Sequence, residues 1–426
     1  MRELLIDILK NEVKPAMGCT EPIAVALAAA RARKELKSDE FDRMEVAVSP
    51  NFYKNGLAVG IPHTKFIGLD IAAIVGFIGG NSDYMLEVLK GVDDDKIKDA
   101  DKIRDKVELS IKDTDKSVYI QVIVYSGENR VEVVIEDKHD KFTLVKFNDE
   151  IIFEESDSNG SNNNSLDLSK FYDMKIIDIV HEVEKMEFKD VEFMLEGYKL
   201  NKLISDEGLR VKHGFGIGYS MNEMMKEGII GDNLVNRASI MTAAAADARM
   251  AGVNMPVMSS NGSGNNGITA IIPIVAYAEA NDVSDERIAK AIAISHLINN
   301  NIKHEIGRLS AMCSCSVSAG ASSSAAIVWL MGGGEKEIGG TINNMVANVS
   351  GMICDGAKRG CAIKLSTAAN LSIINAELAF RDSIVGAKNG IVNQNAEKTI
   401  KNLGILSREG MKITDSVILK IMQNND

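Results

Sequence analysis

The sequence predicts an α+β protein: a large, mainly helical domain with a smaller α+β domain inserted into it. Three observations predict this. Alanine-rich helical windows occupy both ends of the chain, short β-branched runs are confined to residues 41–155, and a polar low-complexity stretch follows them at 154–167. We place the helical domain at residues 1–40 and 166–426 and the inserted domain at 41–165, in preference to two domains in sequence. A chain of 426 residues exceeds what one hydrophobic core usually serves, which favours a division.

Residues 1–36 read as helix, interrupted at "KPAMGCTEP", where Pro15, Gly18 and Pro22 punctuate the run. Pro22 then falls in the first turn of a strong helix, "PIAVALAAARARKEL", where a missing N–H costs nothing. In the middle, "MEVAVSP", "GLAVGIP", "KVELSIKD", "SVYIQVIVYSG", "NRVEVVIED" and "KFTLVKF" are β-branched and partly alternating, hence strands. "YSGENR" predicts a hairpin turn around Gly127, and "LDIAAIVGFIGG" and "DYMLEVLKGV" predict helices between the strands. "EESDSNGSNNNSLD" has no means of forming a core and reads as a loop or linker. Beyond it, "MTAAAADARMAG", "ERIAKAIAISHLINNN" and "LSTAANLSIINAELAF" predict helices by alanine content and periodicity.

The formal net charge of −12 argues against nucleic acid as a partner, since phosphate binding needs a basic surface. "MRELLIDILKNEV" carries charge inside its apolar run and reads as an amphipathic helix, not a secretory signal. The longest uncharged stretch, "LSAMCSCSVSAGASSSAAIVWLMGGG" at 309–334, holds seven serines. It is too polar to face lipid and predicts a buried helix with small residues at its contacts. A cytoplasmic protein without a membrane partner is expected. In that reducing compartment, five cysteines predict ligands, catalysis or core rather than disulfides.

Cys313, Cys315, Cys354 and Cys361 fall within 49 residues, and Cys19 stands alone beside Gly18 and Thr20. On an unbroken helix Cys354 and Cys361 would lie about 10 Å apart along the axis, long for two ligands of one small centre. Gly356 and Gly360 permit a break that turns the thiols toward each other, and amides exposed in such a turn can hydrogen-bond sulfur. No zinc hook, ferredoxin spacing or thioredoxin-like motif is present. Spacing alone leaves buried thiol, metal ligand and redox pair all open.

"SSNGSGNNGITAIIP", 259–273, sets Gly262, Gly264 and Gly267 at G-x-G-x-x-G spacing, with Asp282 beyond. A dinucleotide fold needs a strand on either side, yet "VNMPVM" is a poor strand and another helix follows. Ile268 occupies the position where a phosphate loop needs lysine. What survives is a turn opening a helix, whose free amides and dipole suit a substrate carboxylate, or else a plain interhelical loop. The six histidines form no cluster: His181 and His296 sit in helical patterns, and His63, His213 and His304 lie in or beside loops. No lysine motif marks a pyridoxal-phosphate anchor, although such lysines rarely have a diagnostic context.

Three segments together resemble a known family: "MGCTEPIAVALAAA" (17–30), "MPVMSSNGSGNNGITAIIPIVAYAE" (255–279), and residues 307–369 from "GRLSAMCSCSVSAG" to "GMICDGAKRGCAIKLSTAA". They resemble the L-cysteine desulfidase family, which is related to the alpha region of iron–sulfur L-serine dehydratases. The resemblance covers nearly the whole chain, and "GMICDGAKRGCAIK" is its most specific part. It implies a [4Fe–4S] cluster held by three cysteines, with one iron open to substrate. Cys354 and Cys361 match two ligands; Cys313 matches the third by its distance to "LMGGG", with Cys315 the alternative. Cys19 matches the family's fourth functional cysteine, a resting-state ligand or a base whose pKa a nearby cluster or helix end would lower.

Ser259, Ser260, Asn261, Gly262, Gly264, Asn265 and Gly267 match the segment near the amino-acid substrate. Ser314 stands where many relatives carry glycine; it adds a side chain near the cluster and removes no ligand. The implied activity is β-elimination from a small amino acid, L-cysteine to pyruvate, ammonia and sulfide. The alternatives are L-serine dehydration and a non-catalytic iron–sulfur or redox-sensing protein. A homo-oligomer is compatible with each.

Overall fold

The structure, a computed structural model, describes residues 1–62, 64–155, 168–307 and 310–424. His63 and the polar stretch from residue 156 onward lie outside the described residues. The chain is mostly helical, with one six-stranded sheet and one two-stranded ribbon. The expected architecture, a large helical part with a smaller strand-bearing part inserted in it, is the one observed.

The chain opens with α1 (Arg2–Glu12), β1 (Pro15–Met17) and α2 (Thr20–Leu36). The sheet follows, built from β2 (Arg43–Val48), β3 (Val107–Ile111), β4 (Tyr119–Ser126), β5 (Asn129–Glu136), β6 (Phe142–Phe147) and β7 (Glu150–Glu154). Their spatial order is β3-β2-β4-β5-β6-β7. Only β2 and β3 run parallel, and the crossover such a pair requires carries α3 (Pro50–Gly56) and α4 (Leu69–Gly79). The β4–β5 hairpin turns through Gly127 and Glu128, with Ser126 opposite Asn129, as the turn sequence predicts.

Two local expectations are corrected, and one strand is additional to those expected. "GLAVGIP" is not a strand of the sheet but a buried loop; Ala58 bridges Lys358 and Gly60 bridges Ile67, so its backbone pairs with other loops. "DYMLEVLKGV" forms 3-10 turns broken at Met85, whose φ is 52°, and not an α-helix. β7 escapes a pattern reading because every one of its residues is exposed, so nothing alternates.

Two cores result. Inward residues of β2, β4 and β5, such as Val46, Val122 and Val133, pack with α2 and α4. Helix α2, grouped by composition with the helical domain, therefore packs in the sheet core. The larger core joins α1 to the helices after residue 168, chiefly α5 (Met194–Arg210), α6 (Leu234–Met250), α7 (Gly264–Asn281), α8 (Asp285–Ile306), α9 (Ser314–Leu330), α10 (Glu335–Val349) and α11 (Cys361–Phe380).

The serine-rich α9 packs on α7, α8, α10 and α11, as a buried helix should. Ser318, Ser322, Ser323 and Ser324 are fully buried and donate to the carbonyls of Asn299, Ala319, Gly320 and Ser372, so their polarity is satisfied. Among the described residues, no helix is long and apolar enough to cross a membrane. One further strand, β8 (Pro256–Met258), pairs antiparallel with β1, Pro15 opposite Met258. That pairing sets the cysteine at the start of α2 beside the glycine–asparagine turn.

Candidate functional site

Two short backbone pairings bring the late cysteines together. Cys313 caps α9, and its N–H donates to the Met352 carbonyl at 2.8 Å. The Cys354 N–H donates to the Ala311 carbonyl at 2.6 Å, and Met312 and Ile353 form an antiparallel bridge between these bonds. After Cys354 the chain is not helical until Cys361 opens α11, so the expected break is present. Gly356 has φ +90°, and a Cβ there would stand 1.8 Å from the Lys54 carbonyl oxygen; only glycine lets this loop press on α3.

The thiols differ in acidity. A hydrogen bond from the Cys315 thiol holds Cys313 below the ordinary thiol value, with help from Ser316 and the Lys364 ammonium. Cys315, half-buried and the donor in that bond, is pushed up. Burial raises Cys354, against the opposing pull of Lys54, the Gly356 N–H and Lys364. Burial also takes Cys361 up to about 11, with the Lys358 N–H opposing. Lys364 donates to the Ile353 carbonyl at 2.9 Å and pairs with Asp355. Lys54, only 2% exposed, pairs with Asp415 of α12 (Lys412–Gln423). Lys54, Lys364 and the amides at these sulfurs favour the thiolate, but only at Cys313, the buried one of the four, does the balance fall below the ordinary value; Cys315, Cys354 and Cys361 are half-buried.

Cys19 caps α2 and forms a small apolar cluster with Val59 and Met250, against which Ala357 and Cys361 pack. The structure therefore places it beside the later cysteines. In the protein alone its acidity is reduced below that of an ordinary thiol. Burial foremost, then the Glu21 carboxylate, push it well above the ordinary value, with Arg249 opposing. Burial disfavours the thiolate, and the thiol also donates to Glu21 Oε2 at 2.8 Å.

The glycine–asparagine turn divides in two. Ser259 donates its N–H and hydroxyl to the Lys14 carbonyl at 2.9 and 2.7 Å, and the Asn261 N–H donates to the Glu12 carbonyl at 3.0 Å. The Ser260 hydroxyl receives Asn299 Nδ2 at 2.9 Å and shares a hydrogen bond with His296 Nδ1 at 2.9 Å. These three residues are engaged by the end of α1 and by α8. Asn265 and its neighbour Asn266 instead reach the cysteine side. Asn265 Oδ1 accepts from Arg249 at 3.0 Å, and Asn266 Nδ2 lies 3.2 Å from Ser314 Oγ and 3.4 Å from Cys315 Sγ. Asn266 Oδ1 is buried with no partner among the described residues.

The turn does open a helix, with the Ser263 side chain capping α7. Its expected row of free amides is largely used: the N–H groups of Ser259, Ser260, Asn261, Ser263, Asn266 and Gly267 are bonded within the protein. Gly262 meets open space, Gly264 lies against Arg249 and Gly267 against the Met258 carbonyl. A strand does precede the turn, but it is antiparallel to β1, and α8 follows α7, so no dinucleotide fold is formed.

His181 is exposed, His213 bonds Glu207 at 2.9 Å, and His304 stacks on Tyr172 at 3.6 Å. Among the described residues, no three His, Cys, Asp or Glu side chains form a group fit to hold a single metal ion. Sequence reading missed Glu21, Lys54, Arg249 and Lys364. Glu21 and Lys364 carried a signal, each standing within three residues of a candidate cysteine, and Arg249 interrupts a run of buried alanines. Lys54 carried none.

Residues 83–420 match the family model described as serine dehydratase alpha chain. The chain is 49% identical over 429 residues to a UPF0597 protein of Alkaliphilus metalliredigens (strain QYMF), covering 99% of this chain and 95% of that protein. It is 47% identical over 423 residues to a UPF0597 protein of Clostridioides difficile (strain 630), covering 98% and 99%. A UPF0597 protein of Clostridium tetani (strain Massachusetts / E88) is 41% identical over 421 residues, with 98% of each chain covered.

Proposed function

The chain belongs to the serine dehydratase alpha chain family, and on that premise we propose that it is an iron–sulfur-dependent β-eliminating lyase acting on a small amino acid. L-Cysteine is the first substrate, giving pyruvate, ammonia and sulfide. The observation that carries the reading is that paired loops set Cys313 and Cys354 side by side, with Cys361 opening the next helix and Cys19 packed against Cys361.

In this reading Cys313, Cys354 and Cys361 hold a [4Fe–4S] cluster. The donor set suits it: Cys313 is buried and Cys354 and Cys361 half-buried, amides of Ser316, Gly356 and Lys358 meet their sulfurs, and Lys54 and Lys364 stand near enough to offset negative charge. Cys313 is preferred to Cys315 because its own backbone joins the Met312–Ile353 pairing that also carries Cys354. When bound, the cluster supplies an open iron that acts as a Lewis acid on the leaving group.

The chain's own residues handle the proton. Cys19 rests as the thiol, so it serves as general base together with Glu21: as its proton moves to Glu21, 2.8 Å away, its sulfur accepts the substrate's α-proton. Loss of the β-substituent leaves aminoacrylate, which tautomerises and takes up water to give pyruvate and ammonia. Burial of Cys19 keeps bulk water from competing for that proton.

A second reading, L-serine dehydration, is favoured by the description of the matched family model. Assay of anaerobically reconstituted protein separates the two. Sulfide and pyruvate from L-cysteine support the first; pyruvate from L-serine without sulfide from L-cysteine establishes the second. Iron–sulfur absorption with no pyruvate from either amino acid would contradict both and indicate a redox-sensing protein.

A further inference from the structure

Arg249, in the last turn of α6, is 8% exposed. Its Nη1 donates to Asn265 Oδ1 at 3.0 Å and its Nη2 to the Gly18 carbonyl at 2.9 Å. Its Nε is buried with no partner among the described residues, and a Cβ on Gly264 would stand 2.2 Å from it, so only a bare glycine leaves the guanidinium room. Among the described residues, no carboxylate forms an ion pair with Arg249. A buried cation served by neutral oxygens alone recovers little of its lost hydration.

A second feature points to what would serve it better. Arg249 Nη1 and Asn265 Nδ2 both reach the Met250 sulfur, at 4.0 and 3.5 Å. A thioether is a weak acceptor, so two donors converge on a point where an anion would bind far more strongly. Methionine is unbranched and flexible, and its side chain can swing aside. The point lies within the candidate site, because Met250 packs with Cys19, and Gly18 immediately precedes that cysteine. Asn266, next in the chain, brings its unpartnered Oδ1, an acceptor suited to an ammonium group.

We infer that Arg249, with Asn265, binds the α-carboxylate of the amino-acid substrate, displacing the Met250 thioether. The assignment rests on the function proposed above and makes the carboxylate an obligatory part of the ligand. Compounds keeping the amine and β-carbon but lacking the carboxylate are excluded, since they leave the guanidinium buried and unpaired.

Calorimetric titration of the anaerobically prepared holoprotein tests this with two probes. L-Alanine has the carboxylate and ammonium but no leaving group, and L-alaninamide replaces the carboxylate by a neutral amide. Wild type should bind L-alanine and reject L-alaninamide. Arg249→Met should weaken L-alanine binding by about 100-fold and abolish the preference, as removal of one member of a buried charge pair does. A merely structural arginine would weaken both probes alike or neither, and preference retained in Arg249→Met overturns the inference while leaving the proposed function standing. Failure of wild type to bind either probe overturns the proposed function itself, and the inference with it. If Arg249→Met does not fold, Arg249→Lys keeps the charge but loses the two-pronged donor. About 10-fold weaker L-alanine binding at an unchanged unfolding midpoint then supports the inference, and unchanged binding overturns it.

Discussion

His296 shows what burial does to a single titratable group. Its ring is fully buried, its Nδ1 is tied to Ser260, its Nε2 has no partner among the described residues, and burial takes its pKa down to about 3. The folded state keeps it neutral while the unfolded chain protonates near the ordinary value of 6.5. A depressed histidine contributes stability that is present above the unfolded pKa and lost as pH falls toward the folded one. Between about pH 7 and about pH 5, wild type should lose about 2 kcal/mol of stability through this group. His296→Asn should flatten that part of the profile in urea unfolding measured at both pH values; an unchanged slope would show that His296 is not held neutral. Cys19 makes the same point in the other direction. It stands at a helix start, where a thiol is ordinarily made more acidic, yet burial first and then the Glu21 carboxylate hold it well above the ordinary value.

At the scale of elements, the cysteine loop depends on one backbone contact. Gly356→Ala would put a methyl group 1.8 Å from the Lys54 carbonyl at a φ of +90°, so the loop must leave α3. We expect that variant to retain the far-ultraviolet dichroism of the wild type and to lose most of its iron after anaerobic reconstitution; full iron retention would show that the loop tolerates displacement. The break itself was legible because glycines punctuate the stretch between Cys354 and Cys361, and the β4–β5 hairpin was legible from Gly127. The Met312–Ile353 bridge was not, since it joins loops whose pairing depends on how α9 and α11 pack. Nor was the seat of α2. Its alanines resemble those of α6 and α11, and composition cannot say which core a small-residue helix will enter.

For the whole molecule, the two cores meet where the cysteines lie. Val59 from the loop after α3, Cys19 before α2 and Met250 at the end of α6 form a separate small cluster, with Ala357 and Cys361 packed on it. The Ala58–Lys358 bridge, the Gly60 N–H bond to the Met250 carbonyl and the Lys54–Asp415 pair tie the same seam. Sites commonly form at such junctions, where side chains from different elements converge on a shielded space. The sequence marked the thiols and the turn but not the cations, because Lys54 and Arg249 reach the site only through tertiary packing. The most direct test of the central claim is iron and acid-labile sulfide analysis of anaerobically prepared wild type, Cys354→Ser and Cys361→Ser, with pyruvate formation followed in parallel. We predict about four irons per chain in wild type, with iron and pyruvate both lost in each variant; iron content unchanged by both substitutions, or absent from wild type, would contradict it.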